Sequence, residues 1–452
     1  MGAPLVLLFF GKELQMERVL MEKWKEKNIT FPLQKLINQC SSEGGGIVKI
    51  PSGQYTIDSI ELKDYVTLYL ERGARLIGSG DEQKYWHRPG PFELKQNMTP
   101  LSSLIHAERA KHIAIRGYGT IDGNYQRFIL PNQDDEPHLK FYKYPRPMMI
   151  YFQECQDVSL EEITLQNSPF WTVHLVGNDG VYIDGLTIKN EVRMPNTDGF
   201  DIDRSKNVII QNCFIQTGDD AFCPKCTEET SEYGDVENLI VRNCRVITQS
   251  SAVKFGSSSF GNFRNCCFSK LIIRDTNRGL AFQLRDSGNA ENIIFEDIDI
   301  QTKHYSQEWW GSGEPIYITL LPRTQTTDLT KCQISNIIFR RINAVAENGV
   351  LMISQLPGQI KGIRFEDVFL KLKKSLNTRI EYDLRPVDQK EKIQALLKGI
   401  TDFSDSKFEI KGGNLINPVV DLLQAREANW WFRLLKKWKL SPLPVEIVCS
   451  WI

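Results

Sequence analysis

The chain lacks an excess of charge of either sign. Its 55 Lys and Arg face 56 Asp and Glu, for a net charge of −1. A nucleic-acid binder needs a basic surface to displace counterions from phosphates, so that class is set aside. A long hydrophobic run is also missing. The apolar stretch from Pro4 to Phe10 is short and has no positive charge before it. It makes a poor secretory signal and cannot span a bilayer, so no membrane span is expected and a cytoplasmic location is favoured over a secreted one. The ten cysteines form no small-domain disulfide framework. Cys213, Cys244 and Cys266 follow asparagines inside apolar runs and read as small buried hydrophobes. Cys223 and Cys226 make a single CxxC with no second ligand pair, which argues against structural zinc. What remains, with 25 % charged and 41 % hydrophobic residues, is the composition of an ordinary soluble globular protein.

A repeat dominates the chain. Comparable units open at Lys111, Gln156, Asp179, Lys206, Glu237, Glu291, Ser335 and Lys361, as in "KNVIIQNCFIQT", "ENLIVRNCRVIT" and "ENIIFEDIDIQT". "RNCCFSKLIIRDT" from Arg264 fits with its phase slightly shifted. Successive openings lie about 23 to 31 residues apart, with longer gaps before Gln156 and Ser335. Alternation of period two inside each unit marks strands. The unit is too short for a strand pair with a crossover helix, lacks the leucine pattern of a leucine-rich repeat, and is shorter than a propeller blade. A parallel β-helix is the economical solution, each repeat forming one rung and the inward apolar residues stacking into a continuous core.

The repeat region, residues 44–412, is therefore expected to be an all-β, right-handed parallel β-helix. Residues 1–43 form an N-terminal segment in which Glu17–Cys40 reads as a helix capping the open end. Residues 413–452, rich in Trp, Leu and Lys, read as an atypical tail that covers the far end, with a membrane-surface amphipathic helix as the rival reading. Two stretches interrupt the period, residues 125–147 and 301–323. Insertions in solenoids fall on one face, often the binding face. Trp309 and Trp310 in the second suit either stacking on sugar rings or packing the loop against the body.

Five aspartates cluster in "NTDGFDIDRSKNVIIQNCFIQTGDDAF", residues 196–222. Asp198 and Asp219 are 21 residues apart, close to one turn of a short-rung solenoid. Since stacked strands lie about 4.8 Å apart, the two carboxylates fall on neighbouring rungs of one face. Asp220 follows at once. Three carboxylates this close repel, and at least one pKa must rise. One can then donate a proton while the others stay ionised, which is what glycosidic hydrolysis requires. An aspartate ladder making turn hydrogen bonds or holding calcium is the structural alternative. Asp201 and Asp203 share a face by parity. Asp201 reads as a contact behind the site or to substrate, and Asp203 as support for the turn.

These segments resemble family 28 of the glycoside hydrolases, the polygalacturonase family. "GYGTIDGN" (117–124), "NTDGFDID" (196–203), "GDDAF" (218–222), "NSPFWTVHL" (167–175) and the Arg146–Pro147 pair carry the likeness, which runs from about Gly44 to about Lys411. The resemblance implies a right-handed parallel β-helix that hydrolyses pectic α-glycosidic bonds with inversion. It implies Asp219 as general acid, Asp198 and Asp220 as the residues that position and activate water, and no metal or organic cofactor. Two motifs depart from the family pattern. Ser251 stands where a histidine is expected, and in "RGLAFQLRD" (278–286) Ala281 and Gln283 stand where an arginine and a lysine normally grip the substrate carboxylate. Gln is a poor replacement for a charge-assisted pair. Lys254, Arg278 and Arg285 are candidate substitutes, and Gln283 and His174 candidate groove residues; each reads equally as an ordinary structural group.

The expected substrate is a pectin-like or related polysaccharide or oligosaccharide. Insertions that close one end of the groove favour exo action on short oligomers. A polysaccharide lyase on the same fold, with Lys254 as base, and a non-catalytic carbohydrate-binding β-helix are the other readings. Oligomeric state is not readable from the sequence.

Overall fold

The computed structural model of the 452-residue chain describes residues 19–21, 27–87, 93–94, 99–142, 145–356, 358–373, 383–384 and 407–410. The tail beyond residue 410 and the apolar run near the N-terminus lie outside the described residues.

The strands stack into three parallel ladders, so each repeat contributes one strand to each of three faces. The first ladder runs through Gly46–Ile50, Val66–Leu70, Lys111–Gly117, Gln156–Glu161, Asp179–Asp184 and Lys206–Gln211 to Val236–Arg242. The second takes Gly53–Ile57, Ala74–Gly78, Thr120–Asp122, Thr164–Gln166, Thr187–Lys189 and Phe214–Thr217 into Arg245–Ser257. The third joins Ile60–Glu61, Ser102–Glu108, Met148–Gln153, Val173–Val176, Phe200–Asp203 and Phe222–Lys225, then the later halves of Arg245–Ser257 and Ile272–Leu284, and Ile316–Leu320. This is the parallel β-helix that the repeat predicts.

The repeat's polar positions explain its bends. Asn207, Asn238, Asn292 and Asn336 all have φ between 52° and 57°, as do Asn212 and Asn243 at the next bend, with φ of 56° and 53°. Asparagine tolerates this left-handed conformation better than most residues. Stacked asparagines also bond to one another, Asn238 donating to Asn207 at 3.0 Å and Asn243 to Asn212 at 2.6 Å. Inside, identical positions stack as rings: Phe255 on Phe282 with centroids 4.7 Å apart, Phe295 on Phe339 at 5.1 Å, Phe339 on Phe365 at 5.1 Å.

The capping helix is shorter than the sequence pattern implies. It spans Thr30–Ser42 and buries Leu33, Ile37 and Cys40 against the first rungs. Val19–Met21, expected to be helical, is instead a strand paired in parallel with Gly46–Ile50. The start is dictated by a contact with the first rung. Ile29 N–H donates to the Thr56 carbonyl at 2.9 Å and the Thr56 amide to the Lys27 carbonyl at 2.7 Å, and Pro32 is tolerated only in a first turn.

The two insertions meet. Trp309 is buried, donates Nε1–H to the Pro137 carbonyl at 3.0 Å and packs its ring 4.7 Å from His138. It packs one insertion against the other, while Trp310 remains partly exposed. The first insertion is also bonded to the loop that carries Asp198: Arg193 donates to the Gln133 and Asp134 carbonyls at 3.1 and 2.9 Å.

Candidate active site

Each of the critical aspartates sits in a loop that leads from the second ladder into the third. Two glycines set their approach. A Cβ on Gly218 would collide with the carbonyl oxygen of Met194, and one on Gly199 would meet the Ala221 carbonyl oxygen at 2.5 Å. Only glycine lets the loops of successive rungs lie this close, which brings Asp198 beside Asp219 and Asp220. Thr217 and Thr248 hydroxyls both donate to the Asp219 carbonyl at 2.6 Å and fix the second loop.

The carboxylates are differently held. Asp220 is fully buried. It accepts from the Ser250 hydroxyl at 2.9 Å and the Ser251 amide at 3.0 Å, and its other oxygen is ion-paired with Lys254 Nζ. Burial raises its pKa, but Lys254 and these donors outweigh burial and hold it below the ordinary value. Asp219 accepts from the Asn196 amide at 3.3 Å and the Asp220 amide at 2.9 Å. Burial first, and the Asp220 charge second, push it up to about 6. Asp198 is buried with Oδ1 lacking any hydrogen-bond partner and Oδ2 4.0 Å from Lys225 Nζ. Burial and the charges of Asp201 and Asp219 raise its proton affinity well above the usual value. Between them, Asp219 and Asp198 can hold a proton while Asp220 stays ionised, the division of labour an acid–base pair needs.

Around this triad, Lys225 forms an ion pair with the fully buried Asp201 and lies 3.7 Å over the Trp171 ring. Burial raises the pKa of Asp201, with Lys225 opposing it. Asp203 accepts from the Thr227 amide at 3.0 Å and the Thr227 hydroxyl at 2.6 Å, with Thr230 at 3.1 Å, so it ties the following turn. Asp198, Asp220 and Cys223 place ligand-type atoms within 4.8 Å of one another. Lys254 already supplies the positive charge on Asp220, and the Cys223 thiol, its pKa pushed up by burial, donates to the Gly256 carbonyl at 3.2 Å.

The comparisons with known proteins place this geometry. The profile described as Glycosyl hydrolases family 28 matches residues 40–382. The chain belongs to glycosyl hydrolase family 28. Family 28 enzymes are O-glycosidases. A probable polygalacturonase of Vitis vinifera is 29 % identical over 61 % of this chain and 57 % of its own length, so the chain spans little more than half of that relative. An endo-polygalacturonase of Pectobacterium carotovorum is 23 % identical over 69 % of this chain and 87 % of its own length. Among solved structures, an exopolygalacturonase from Thermotoga maritima superposes with a TM-score of 0.58 at 19 % identity, covering 79 % of this chain and 91 % of that one. This likeness confirms the fold.

Against the family pattern, the sequence-predicted residues divide. Asp198, Asp201, Asp219, Asp220 and Lys254 come together. His174 is fully buried, with Nε2 3.6 Å from Asp203 and its ring edge-on to Trp171 at 4.9 Å, which places it behind the groove surface. Arg278 and Arg285, candidates for gripping substrate, are both buried and make their contacts elsewhere. Arg278 stacks 3.7 Å over Tyr317, pairs with Glu314 at 3.4 Å and donates to the Asp383 carbonyl at 3.2 Å. Arg285 donates to the Arg323 carbonyl at 3.1 Å. Both are buried in structural contacts, and Glu314 supplies Arg278 with the counter-charge that a buried guanidinium needs. Gln283 is buried in register with Gly256, and Ala281 lies in register with Lys254. Lys254 thus occupies a place next to the missing arginine, and Ser251, at the expected histidine, serves Asp220 through its backbone amide.

Three site residues were not named by sequence reasoning alone. Lys225 has the parity of Asp201 and Asp203 on the adjoining strand, and that parity was the available signal. Trp171 sits within a segment quoted for the family likeness. Arg146, buried, donates to the Pro169 and Pro195 carbonyls at 3.0 and 2.9 Å and to Asn196 Oδ1 at 2.8 Å, so it fixes the loop that leads to Asp198. Burial lowers its pKa to about 9, against the charges of Asp219 and Asp198.

Proposed function

We propose that this chain hydrolyses glycosidic bonds of a pectic, galacturonate-related oligosaccharide or polysaccharide by an inverting acid–base mechanism, acting from a chain end. The observation that carries the reading is the split among the aspartates: Asp219 poised near pH 6 beside an Asp220 held ionised by Lys254. In this mechanism Asp219 gives its proton to the leaving glycosidic oxygen. Water, positioned by Asp198, attacks the anomeric carbon from the opposite side, and its proton passes to Asp220, which Lys254 keeps ionised until that transfer.

Support for pectic substrates comes from the family match and from relatives described as polygalacturonases. Support for action at a chain end comes from the joined insertions and from a 36 % identical stretch of 121 residues shared with a probable exopolygalacturonase B of Aspergillus terreus. A lyase needs Lys254 as a neutral base. Burial favours its neutral form, but Asp220 and the other nearby acids outweigh burial and hold the proton on. Incubation of defined oligogalacturonates with the wild type and Asp219→Asn tests the proposal. Monomer or dimer release by the wild type alone supports it. Random internal cleavage removes the exo assignment, and equal turnover by both proteins removes the catalytic one.

A further inference from the structure

The outward side of the third ladder is not uniformly polar. On the N-terminal side of the aspartates it carries a run of aromatic rings in mutual contact. Trp86 stacks on His106 at 4.4 Å and on Tyr151 at 5.6 Å. Tyr151 meets His174 at 5.3 Å, and His174 meets Trp171 at 4.9 Å. Trp171 in turn lies under Lys225 Nζ, which is paired with Asp201 and 4.0 Å from Asp198. The rings therefore run without a break from the catalytic carboxylates across the strands Val173–Val176, Met148–Gln153 and Ser102–Glu108. That is three rungs, about 14 Å at the usual strand spacing, long enough for a short oligosaccharide.

This run has a buried layer and a surface. His106, Tyr151 and His174 are buried, whereas Trp86, Trp171 and Tyr233 are half-exposed above an apolar satellite core separate from the interior of the solenoid. The outer face of a β-helix needs no second core for stability. Half-exposed tryptophans beside a glycosidase site have one chemistry that fits them, contact with the CH faces of pyranose rings.

Among the described residues, the same surface offers no unengaged cation to a carboxylate. Among the described residues, the cations near these rings are already engaged: Lys225 by Asp201, Arg109 near Tyr233 by Glu154 at 2.8 Å, and Arg146, over Phe170, by the Pro169 and Pro195 carbonyls. Burial pushes the His106 imidazole down to about 4, so it is neutral at working pH. Glu61 and Lys63 at the far edge pair with each other at 2.5 Å. A uronate laid here would lose water without gaining a partner.

Resting on the hydrolase reading above, we propose that the shelf formed by Trp86, Trp171 and Tyr233 is a subsite for uncharged pyranose residues adjoining the cleaved bond, so that the substrate joins an acidic sugar to neutral ones. The galacturonate trisaccharide and its two counterparts in which two residues, at one end or the other, are replaced by galactose make a matched set of probes, differing only in carboxylates. Binding is measured by calorimetry in the Asp219→Asn background, where turnover is blocked. One galactose-containing probe should bind about tenfold tighter than the trigalacturonate. Trp86→Ala should remove that advantage, and Trp86→Phe should retain most of it with an unchanged thermal midpoint. The proposal is overturned if trigalacturonate binds as tightly as both counterparts, if Trp86→Ala leaves the preference intact, or if no probe binds. Wild-type hydrolysis of the same set separates the two claims. Trp86-dependent binding without hydrolysis removes the hydrolase reading and keeps the shelf; hydrolysis with binding that ignores Trp86 does the reverse.

Discussion

The paired strands Phe200–Asp203 and Phe222–Lys225 present two faces that obey different rules. Inward, Phe200 and Phe222 stack at 5.6 Å and Ile202 lies in register with Pro224. Outward, Asp201 and Asp203 lie in register with Cys223 and Lys225. Both faces are buried, but the inner one is specified by volume and the outer one by pairing. Inside, a side chain of similar size and polarity can stand in for another. Outside, each acid has its own arrangement: Lys254 and two donors for Asp220, Lys225 for Asp201, threonines for Asp203. Asp198 and Asp219 have no lysine within hydrogen-bonding distance, and their proton affinities are raised; burial raises that of Asp201 too, with Lys225 opposing it. The difference teaches that in this solenoid one residue of sequence parity separates fold from chemistry.

The comparison can be broken from either side. The largest effect is expected for Asp219→Asn, which removes the acid at nearly constant shape; kcat should fall by about 10³-fold or more. Its stability should move the other way. Wild-type Asp219 has a folded pKa of about 6, above its ordinary 3.8. Its stabilising contribution is therefore complete only below about 3.8 and is lost as pH rises through about 6. Asn escapes that loss, so the variant should melt higher than the wild type at pH 7 and equally at pH 3, as calorimetry would show.

On the inner face, Phe339→Ala deletes a fully buried ring stacked between Phe295 and Phe365. It should cost about 3–5 kcal/mol in denaturant unfolding. Turnover per folded molecule should stay the same, because no site residue touches it. Gly218→Ala stands between these cases. Its methyl group must displace the Met194 carbonyl and shift the loop bearing Asp198, so kcat should drop about 10²-fold with a largely intact fold.

Among the site variants, Lys254→Met should have the smallest effect on maximal rate, about 10-fold, but a diagnostic effect on pH. Lys254 lowers the pKa of both Asp220 and Asp219. Without it both rise, and the whole activity profile should move to higher pH. A profile that stays in place would show that Lys254 does not tune the acids.

Much of this was readable beforehand, for physical reasons. Period-two alternation is local, and it announced the rungs; the left-handed asparagines at the bends came to light only in the structure. Asp198 and Asp219 were found because the pitch of the solenoid converts a sequence interval into a neighbouring position. What escaped depends on tertiary partners. Arg278 is drawn into a pair with Glu314, 36 residues on. Lys225 has meaning only beside Asp201 on the previous rung. The helix begins at Thr30 because its preceding residues are claimed by Thr56, a contact that no helical periodicity reveals.

The account rests on Asp219 donating a proton near pH 6, and the pH dependence of kcat/KM for the wild type on a defined oligogalacturonate tests it most directly. A descending limb centred near pH 6, with activity lost as pH rises through it, is the predicted result. Activity that stays level or climbs from pH 5 to pH 8 would contradict it.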